Sequence, residues 1–243
     1  YYTSVEYLDK NIGTVLDAID EIGLAEDTLV IYVGDQGYLL GHHGRFEKHT
    51  MWEPAVRAPL IIRSPGIPHR REDALVEFID LVPTILDILG VESMENAQGL
   101  SLLPLLEGKV SEHRESVFSE FLPDNMAMIR TERWKYIFVA NGGGELLFDL
   151  IDDPQELQNM MPQRPETGRL MREMAASACA VPGAAEALAG GDLRVFPYEE
   201  RAQRRIYQFD RSRGVTGFPK RPQDVLEAWR AREAETSSSK GAS

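Results

Sequence analysis

The chain has 243 residues, of which 43% are apolar and 27% charged, and its formal net charge is −13. This composition is that of an ordinary globular protein, and the length is sufficient for a buried core. The acidic balance argues against nonspecific nucleic-acid binding as the main task. No apolar run reaches the length of a membrane span, and the single cysteine, Cys179, excludes an internal disulfide framework and a multi-cysteine zinc site.

Positive charge is concentrated in two parts of this acidic chain. Residues 42–71 carry five arginines, Lys48 and four histidines against only Glu47 and Glu53. A cationic island of this kind focuses the electric field on an anionic ligand, although a solvated loop can have the same composition. Residues 194–232 are also net basic, which is typical of a solvated or docking face, and we expect no nucleic acid among the partners.

The first half of the chain has an α/β pattern. Apolar residues recur at steps of three and four over residues 5–22, which predicts an amphipathic helix packed on one face. Residues 28–33 form an almost wholly apolar run, typical of a strand buried on both faces, as in a parallel sheet. Residues 59–63 predict a second strand, and Asp80 is expected to cap a helix over residues 81–89.

The second half of the chain predicts a small antiparallel sheet. Short apolar segments joined by turn residues indicate a meander, and these segments are 117–121, 126–131, 134–139 and 145–150. Helical patterns follow at 166–178 and 224–233, whereas 189–192 and 236–243 have the composition of flexible segments.

These patterns predict three parts along the chain. Residues 1–108 form an α/β part, residues 109–190 a small antiparallel sheet with a helix, and residues 191–243 a basic helical extension with a flexible tail. No internal repeat is evident in the sequence.

Asp35 and Gln36 directly follow the first apolar run and are bracketed by Gly34 and Gly37. In open α/β sheets, ligands bind outside the carboxyl ends of the strands. A carboxylate and a side-chain amide are hard oxygen ligands of the kind that Ca²⁺ or Mg²⁺ prefers. Two residues cannot complete a coordination shell, and a simple turn uses the same residue types. The pattern therefore indicates either a turn or one part of a metal site.

A second group of polar residues, His42, His43, Lys48 and His49, lies in the first cationic stretch. A lysine ammonium beside a metal site is a compact point charge that can hold the oxygens of a tetrahedral anion. A histidine near such an anion can donate a hydrogen bond or act as a general acid. Each of these residues alone is typical of a protein surface, but together they indicate an anion-binding site.

An ordered series of motifs resembles the type I sulfatases of the alkaline-phosphatase-like superfamily. The series comprises VGDQGYLLGHHG at 33–44, EK at 47–48, VRAPLIIRSPG at 56–66, EFIDLVPTIL at 77–86, IRTERWKYI at 129–137, ELLFDL at 145–150 and DPQELQN at 153–159. The resemblance covers about residues 1–160. It implies an α/β fold with part of an alkaline-phosphatase-like mixed sheet flanked by helices, followed by a smaller α+β subdomain with a short antiparallel sheet.

The resemblance also implies an activity and a set of site residues. The expected activity is hydrolysis of sulfate esters, with a sulfated carbohydrate as substrate. Asp35 and Gln36 match metal ligands of the family, for which Ca²⁺ is the expected ion and Mg²⁺ or Mn²⁺ are alternatives. Lys48 matches the lysine that contacts the sulfate group, His43 matches a histidine on the substrate side, and His49 is a candidate near the leaving group.

Two departures from the family pattern qualify this reading. His42 stands where the family usually carries glutamate, and the Cys-x-Pro-x-Arg signature of the formylglycine precursor is missing, since Cys179 lies in the unrelated sequence CAVPG. The resemblance therefore implies that formylglycine and a first Asp-Asp metal pair belong to an N-terminal half that this sequence lacks, and that these residues alone are inactive.

Two other functions remain open at this point. A phosphonate or phosphate monoester hydrolase of the same superfamily shares the metal site. A noncatalytic binding module that uses its charged surface for a protein partner is the alternative from a different class of function.

Overall fold

The computed structural model describes residues 1–200 except 93, 122–124 and 182–183. All helices and strands of this part lie within the unit Tyr1–Tyr198. The predicted helix at 224–233, the predicted flexible tail at 236–243 and most of the basic stretch 194–232 lie outside the described residues. The predicted boundaries after residues 108 and 190 stay predictions.

The first part of the chain combines helices with one pair of strands. Its elements are α1 (Tyr2–Glu21), β1 (Val30–Val33), α2 (Glu53–Val56), β2 (Leu60–Arg63), α3 (Leu81–Ile88) and α4 (Leu103–Leu106). The strands β1 and β2 pair antiparallel, with Val30 opposite Arg63 and Val33 opposite Leu60. The predicted helix and both predicted strands are therefore present.

The surroundings of these elements differ from the expectation in two ways. The apolar run favoured a strand buried on both faces of a parallel sheet, but in the described part of the chain β1 pairs only with the antiparallel β2. The side chain of Ile61 is 63% exposed, and α1 contains no buried residue. The predicted packing of α1 on one face is therefore only partly present among the described residues, where Ile12, Leu16 and Ile19 are half-buried and the rest of the apolar stripe is exposed.

The second part is the predicted antiparallel meander. Its strands are β3 (Val117–Phe121), β4 (Met126–Arg130), β5 (Trp134–Val139) and β6 (Gly144–Asp149), and they lie side by side in chain order. Every neighbouring pair is antiparallel. The helix α5 (Pro165–Cys179) follows, in agreement with the pattern at 166–178. We call these four strands the small sheet.

Both faces of the small sheet are buried, because successive side chains of a strand point to opposite faces. One face packs against α5, and its buried members include Ile129, Tyr136, Phe138, Leu147, Met171, Ala175 and Cys179. On the other face, Met128, Ile137 and Phe148 enclose Met51, which precedes α2. Burial of each large apolar side chain contributes about 1.5–3 kcal/mol. The small sheet is thus seated between α5 and the segment that leads into α2.

A short hairpin replaces the predicted flexible segment at 189–192. The strands β7 (Leu188–Ala189) and β8 (Asp192–Leu193) pair antiparallel. The two residues between them, Gly190 and Gly191, have φ angles of 63° and 89°. A two-residue hairpin turn with both φ angles positive has a twist that matches that of the strands, and glycine adopts it without strain. The prediction of flexibility was wrong because the Gly-Gly pair forms this turn.

Asp80 precedes α3 as predicted, but its side chain does not cap that helix. The carboxylate is fully buried and accepts hydrogen bonds from the backbone N–H groups of Glu77 (2.9 Å) and Leu100 (2.8 Å). Arg114 donates to both carboxylate oxygens, through Nε at 2.9 Å and through Nη2, and His113 Nε2 lies 3.2 Å away. Asp80 therefore ties three separate segments together, and its bond to the Glu77 backbone closes the short 3-10 turn that precedes α3.

Stability is expected to fall in acid because of Asp80. Burial acts to raise the pKa of this carboxyl, but the hydrogen bonds from Arg114 and from the Leu100 and Glu77 backbones outweigh burial, so the pKa lies below its usual value of 3.8. A group with a lowered folded-state pKa stabilises the fold above its unfolded-state pKa, and that stability is lost as the pH falls through the folded-state pKa. Urea unfolding measured between about pH 5 and about pH 2 should show this loss.

The matched variants are Asp80→Asn and Asp73→Asn. Asp73 is an exposed aspartate whose oxygen lies 3.2 Å from Arg71 in a solvent-facing pair, so its replacement should leave the acid-dependent loss of stability unchanged. Asp80→Asn should make the unfolding free energy less dependent on pH in the acid range. Equal slopes for the two variants would contradict the role given to Asp80.

No helix among the described residues has the length and apolar character needed to cross a bilayer.

Candidate functional site

The loop after β1 is fastened to α2 at a glycine. Gly34 N–H donates to the Pro59 carbonyl at 3.0 Å, and Gly37 N–H donates to the Ala55 carbonyl at 2.8 Å. A Cβ atom at position 37 would collide with the Pro54 carbonyl oxygen. Only glycine permits this close approach of the loop to α2, so the backbone that carries the two residues between Gly34 and Gly37 is held against α2.

Those two residues are the candidate metal ligands Asp35 and Gln36. Asp35 is exposed and Gln36 is half-buried, at the end of β1 where the sequence placed them. Their carboxylate and amide oxygens suit a hard divalent cation such as Ca²⁺. Among the residues that the structure describes, no group of three or more His, Cys, Asp or Glu side chains could hold a metal ion. The donor chemistry of Asp35 and Gln36 therefore fits part of such a shell, and the remaining ligands would have to come from elsewhere.

The candidate histidines lie on a compact loop that is hydrogen-bonded like a hairpin. Leu39 N–H donates to the Glu47 carbonyl at 3.0 Å, and Gly41 N–H donates to the Arg45 carbonyl at 2.8 Å. Leu39 is fully buried and anchors this loop. His43 lies at the tip with a φ angle of 53°, a left-handed conformation that is rare for a residue other than glycine. Such backbone strain occurs often at functional sites.

His43 stacks on Trp52, with ring centroids 4.0 Å apart and ring planes 9° from parallel. This contact joins the loop tip to the residue that precedes α2. An open cleft of about 450 Å³ lies beside it, lined by Leu40, Gly41, His42, His43, Gln155 and Leu157. The structure therefore brings His42 and His43 to one cleft together with residues that follow the small sheet.

Lys48 and His49 lie between the loop and α2. Lys48 is half-buried. Its backbone carbonyl accepts a hydrogen bond from Thr50 N–H at 2.8 Å. His49 Nδ1 lies 3.7 Å from Glu47 Oε2, and its ring meets the edge of the Phe121 ring at a centroid distance of 5.6 Å. His49 thus faces β3 of the small sheet, whereas His43 faces Trp52.

Three charged residues near this segment were not found by sequence reasoning. Lys135 is completely buried, Glu156 is 2% exposed, and both contact Glu53 at the start of α2. The alternation of β5 carried a usable signal, because Lys135 shares a strand face with the buried Ile137. A lysine on an apolar strand face requires a buried acidic partner, but the sequence does not say which one.

The chain is similar in sequence to a described protein family and to curated proteins. Residues 41–180 match the family described as N-sulphoglucosamine sulphohydrolase, C-terminal. Human arylsulfatase K is 37% identical over 180 residues, which is 68% of this chain and 34% of that protein. The chain therefore spans about a third of the length of the curated relatives it matches.

Solved structures show the same relationship. A structure described as being in complex with its substrate D-glucosamine-2-N,6-O-disulfate is 30% identical, with a TM-score of 0.67, over 72% of this chain and 38% of that chain. The phosphonate monoester hydrolase of Agrobacterium radiobacter is 28% identical, with a TM-score of 0.62, over 70% of this chain and 38% of that chain.

The fold and these matches define an alkaline-phosphatase-like protein of the sulfatase class, which confirms the predicted fold class. The chain belongs to the family described as N-sulphoglucosamine sulphohydrolase, C-terminal, and corresponds to a C-terminal portion of the sulfatase family.

Proposed function

We propose that this chain is part of a sulfate-ester hydrolase that acts on a sulfated carbohydrate. Its relatives support this substrate class, because they include arylsulfatase K and a structure whose stated substrate is a disulfated glucosamine. Asp35 and Gln36 would hold a divalent cation, Ca²⁺ in the first instance, together with ligands from the rest of the enzyme.

The proposal is carried by the attachment of both candidate segments to α2. The loop with Asp35 and Gln36 is fixed to α2 through the hydrogen bond from Gly37 to Ala55. The segment with Lys48 runs into the same helix within a few residues, and Trp52 joins it to the histidine loop. A short rigid element that fixes a candidate metal pair and a candidate anion clamp is suited to one reaction centre.

The chemistry follows from where charge develops in the reaction. Cleavage of a sulfate ester places negative charge on the sulfuryl oxygens and on the departing oxygen. The Lys48 ammonium would stabilise the sulfuryl oxygens as a fixed positive charge, and His49 or His43 would supply a proton or a hydrogen bond to the departing oxygen. A bound divalent cation would add Lewis-acid stabilisation of the sulfuryl group.

The cleft beside His43 would receive the carbohydrate. Its volume lies within the range of small-molecule sites, and Gln155 offers an amide that can both donate to and accept from sugar hydroxyl groups. His42 stands at the same cleft where the resemblance placed glutamate, so an acceptor carboxylate is replaced by an imidazole. We infer that the cleft sets which sugar is accepted.

The test is turnover of an aryl sulfate by the native polypeptide that contains this chain, compared with an aryl phosphonate and an aryl phosphate. Hydrolysis of the sulfate with the highest kcat/KM is expected. The structural likeness to a phosphonate monoester hydrolase makes preference for the phosphonate the specific alternative. A higher kcat/KM for phosphonate would reject sulfate esters as the main substrate.

Asp35→Ala in the same polypeptide tests catalysis against the binding-module alternative. Loss of the carboxylate removes a ligand from the proposed cation site, so turnover should fall and a higher concentration of Ca²⁺ should be needed to restore it. Asp9→Ala, which replaces an exposed aspartate of α1, is the control and should leave both quantities unchanged. Intact turnover in Asp35→Ala would exclude Asp35 as a catalytic metal ligand.

A further inference from the structure

The helix α2 is held on two sides by different parts of the molecule. On one side, Gly37 donates its backbone N–H to Ala55. On the other side, α2 meets a group of charged side chains from β4, β5 and the loop after β6, which are Arg130, Lys135 and Glu156. The apolar part of this second contact is Met51, which is 2% exposed and lies among Met128, Ile137 and Phe148.

Lys135 and Glu156 contact Glu53, the first residue of α2, at its side chain and at its backbone. Lys135 Nζ donates a hydrogen bond to Glu53 Oε1 at 3.1 Å and forms an ion pair with Glu156 Oε1 at 2.8 Å. Glu156 Oε2 accepts a hydrogen bond from the Glu53 backbone N–H at 2.7 Å. Arg130 Nε lies 3.4 Å from Glu53 Oε1 and adds a second positive charge. The side chain of Glu53 is therefore tied to the small sheet, and its backbone is tied to the loop that follows β6.

This arrangement is costly to build, which indicates that it fixes a position. Lys135 is fully buried and Glu156 is 2% exposed, and removal of such ions from water costs several kcal/mol each unless they are closely paired. Glu156 also has a φ angle of 57°, a left-handed conformation that costs about 1–2 kcal/mol for a residue with a side chain. An apolar cluster would join α2 to the sheet without these costs.

Glu53 lies close in sequence to the candidate catalytic residues, so the contacts that fix Glu53 also restrain the segment that carries them. Glu53 is five residues from Lys48 in the sequence, Trp52 stacks on His43, and His49 contacts Phe121 of β3. The position of the segment from Lys48 to α2 is thus set from the small sheet.

We propose that Lys135, Glu156 and Glu53 form a positioning clamp through which the small sheet holds the segment that carries Lys48 and His49. None of the three is assigned to the reacting group, so they are positioning residues. The expected effect on turnover rests on the proposed function. The contacts that form the clamp do not depend on it. A displacement of about 1 Å at a reacting group can lower a rate by about 100-fold.

The test compares three variants of the native polypeptide. Glu53→Gln removes the negative charge at α2 but leaves the ion pair between Lys135 and Glu156, so folding should persist. Lys135→Met removes both ion pairs of the buried lysine and leaves, within the clamp, only the hydrogen bond from the Glu53 backbone to Glu156. Arg172→Met is the control on the opposite face of the same sheet, where Arg172 forms more exposed ion pairs with Glu145 and Asp192 at 2.8 Å each.

Three readouts separate positioning from general stability. These are kcat and KM for an aryl sulfate, corrected for the folded fraction from circular dichroism; the thermal midpoint; and hydrogen exchange by mass spectrometry in peptides covering residues 48–57 and residues 134–149. Glu53→Gln should lower kcat by about 10-fold with KM changed by less than about 2-fold. It should also speed exchange at 48–57 while exchange at 134–149 stays as in the wild type.

The control and the opposite outcomes make the proposal refutable. Arg172→Met should lower the thermal midpoint and leave corrected kcat and exchange at 48–57 unchanged. If Glu53→Gln and Lys135→Met speed exchange equally in both sets of peptides, and corrected kcat stays at the wild-type value, the clamp has no positioning role. Absence of turnover in the wild type would refute the proposed function, and the exchange data would still decide for or against the clamp.

Discussion

Replacement of Lys48 by alanine in the native polypeptide is expected to lower kcat for an aryl sulfate by about 10²–10³-fold, the usual effect of removing one donor that stabilises transition-state charge. Negative charge on the sulfuryl oxygens increases as the ester bond breaks, so the loss should fall mainly on kcat and only slightly on KM. Steady-state kinetics with wild type and Lys48→Ala at equal folded concentration measure this effect.

Arg45→Ala is the control for Lys48→Ala. Arg45 lies three residues earlier in the same cationic stretch, it is exposed, and its backbone closes the loop by donating to the His42 carbonyl at 3.0 Å, which alanine also does. The kcat of the Arg45→Ala variant should remain within about 2-fold of the wild-type value because exposed charges interact weakly. A comparable loss in both variants would show that general positive charge, and not Lys48 itself, is required.

Replacement of Arg114 by methionine is expected to lower the free energy of unfolding by about 3–5 kcal/mol, because removal of one partner leaves a buried charge without compensation. Asp80 is fully buried and Arg114 is its charged partner, with Nε 2.9 Å from Oδ2. Arg114 Nη1 also lies 3.3 Å from Glu77 Oε2. Urea unfolding at neutral pH, followed by circular dichroism, measures this loss.

Arg169→Met provides the surface reference for this measurement. Arg169 pairs with Glu173 one helical turn away on the exposed side of α5, at 2.6 Å. Surface pairs of this kind contribute little to the free energy of unfolding because solvent screens them. The unfolding midpoint of Arg169→Met should therefore stay near that of the wild type. If the two arginine variants shift the midpoint equally, Asp80 does not depend on Arg114.

Local sequence pattern was sufficient for most of the second part of the chain. The predicted strands at 117–121 and 134–139 match β3 and β5 residue for residue, since alternating apolar residues and short turns specify an antiparallel meander locally. The same reasoning did not give the neighbour of β1, which among the described residues pairs with β2 alone, because an apolar run does not say which strand lies beside it. The prediction of a flexible segment at 189–192 was wrong, because a Gly-Gly pair is equally typical of a linker and of a hairpin turn.

The candidate site could be predicted only as far as its motifs. Asp35 and Gln36 follow β1, as the motif order implied. The structure adds that His43 lies at a cleft, and the catalytic roles of all three residues stay predictions. The contacts of Glu53 with Lys135 and Glu156 join residues 82 and 103 positions apart. No local pattern specifies such pairs, because they depend on how the small sheet folds back onto α2.

The close contact between Gly37 and α2 makes the two sides of the candidate centre mechanically dependent on each other. With no space for even one methyl group at position 37, neither side can slide against the other without breaking a backbone hydrogen bond. The loop that carries Asp35 and the small sheet therefore share one short helix as their common support.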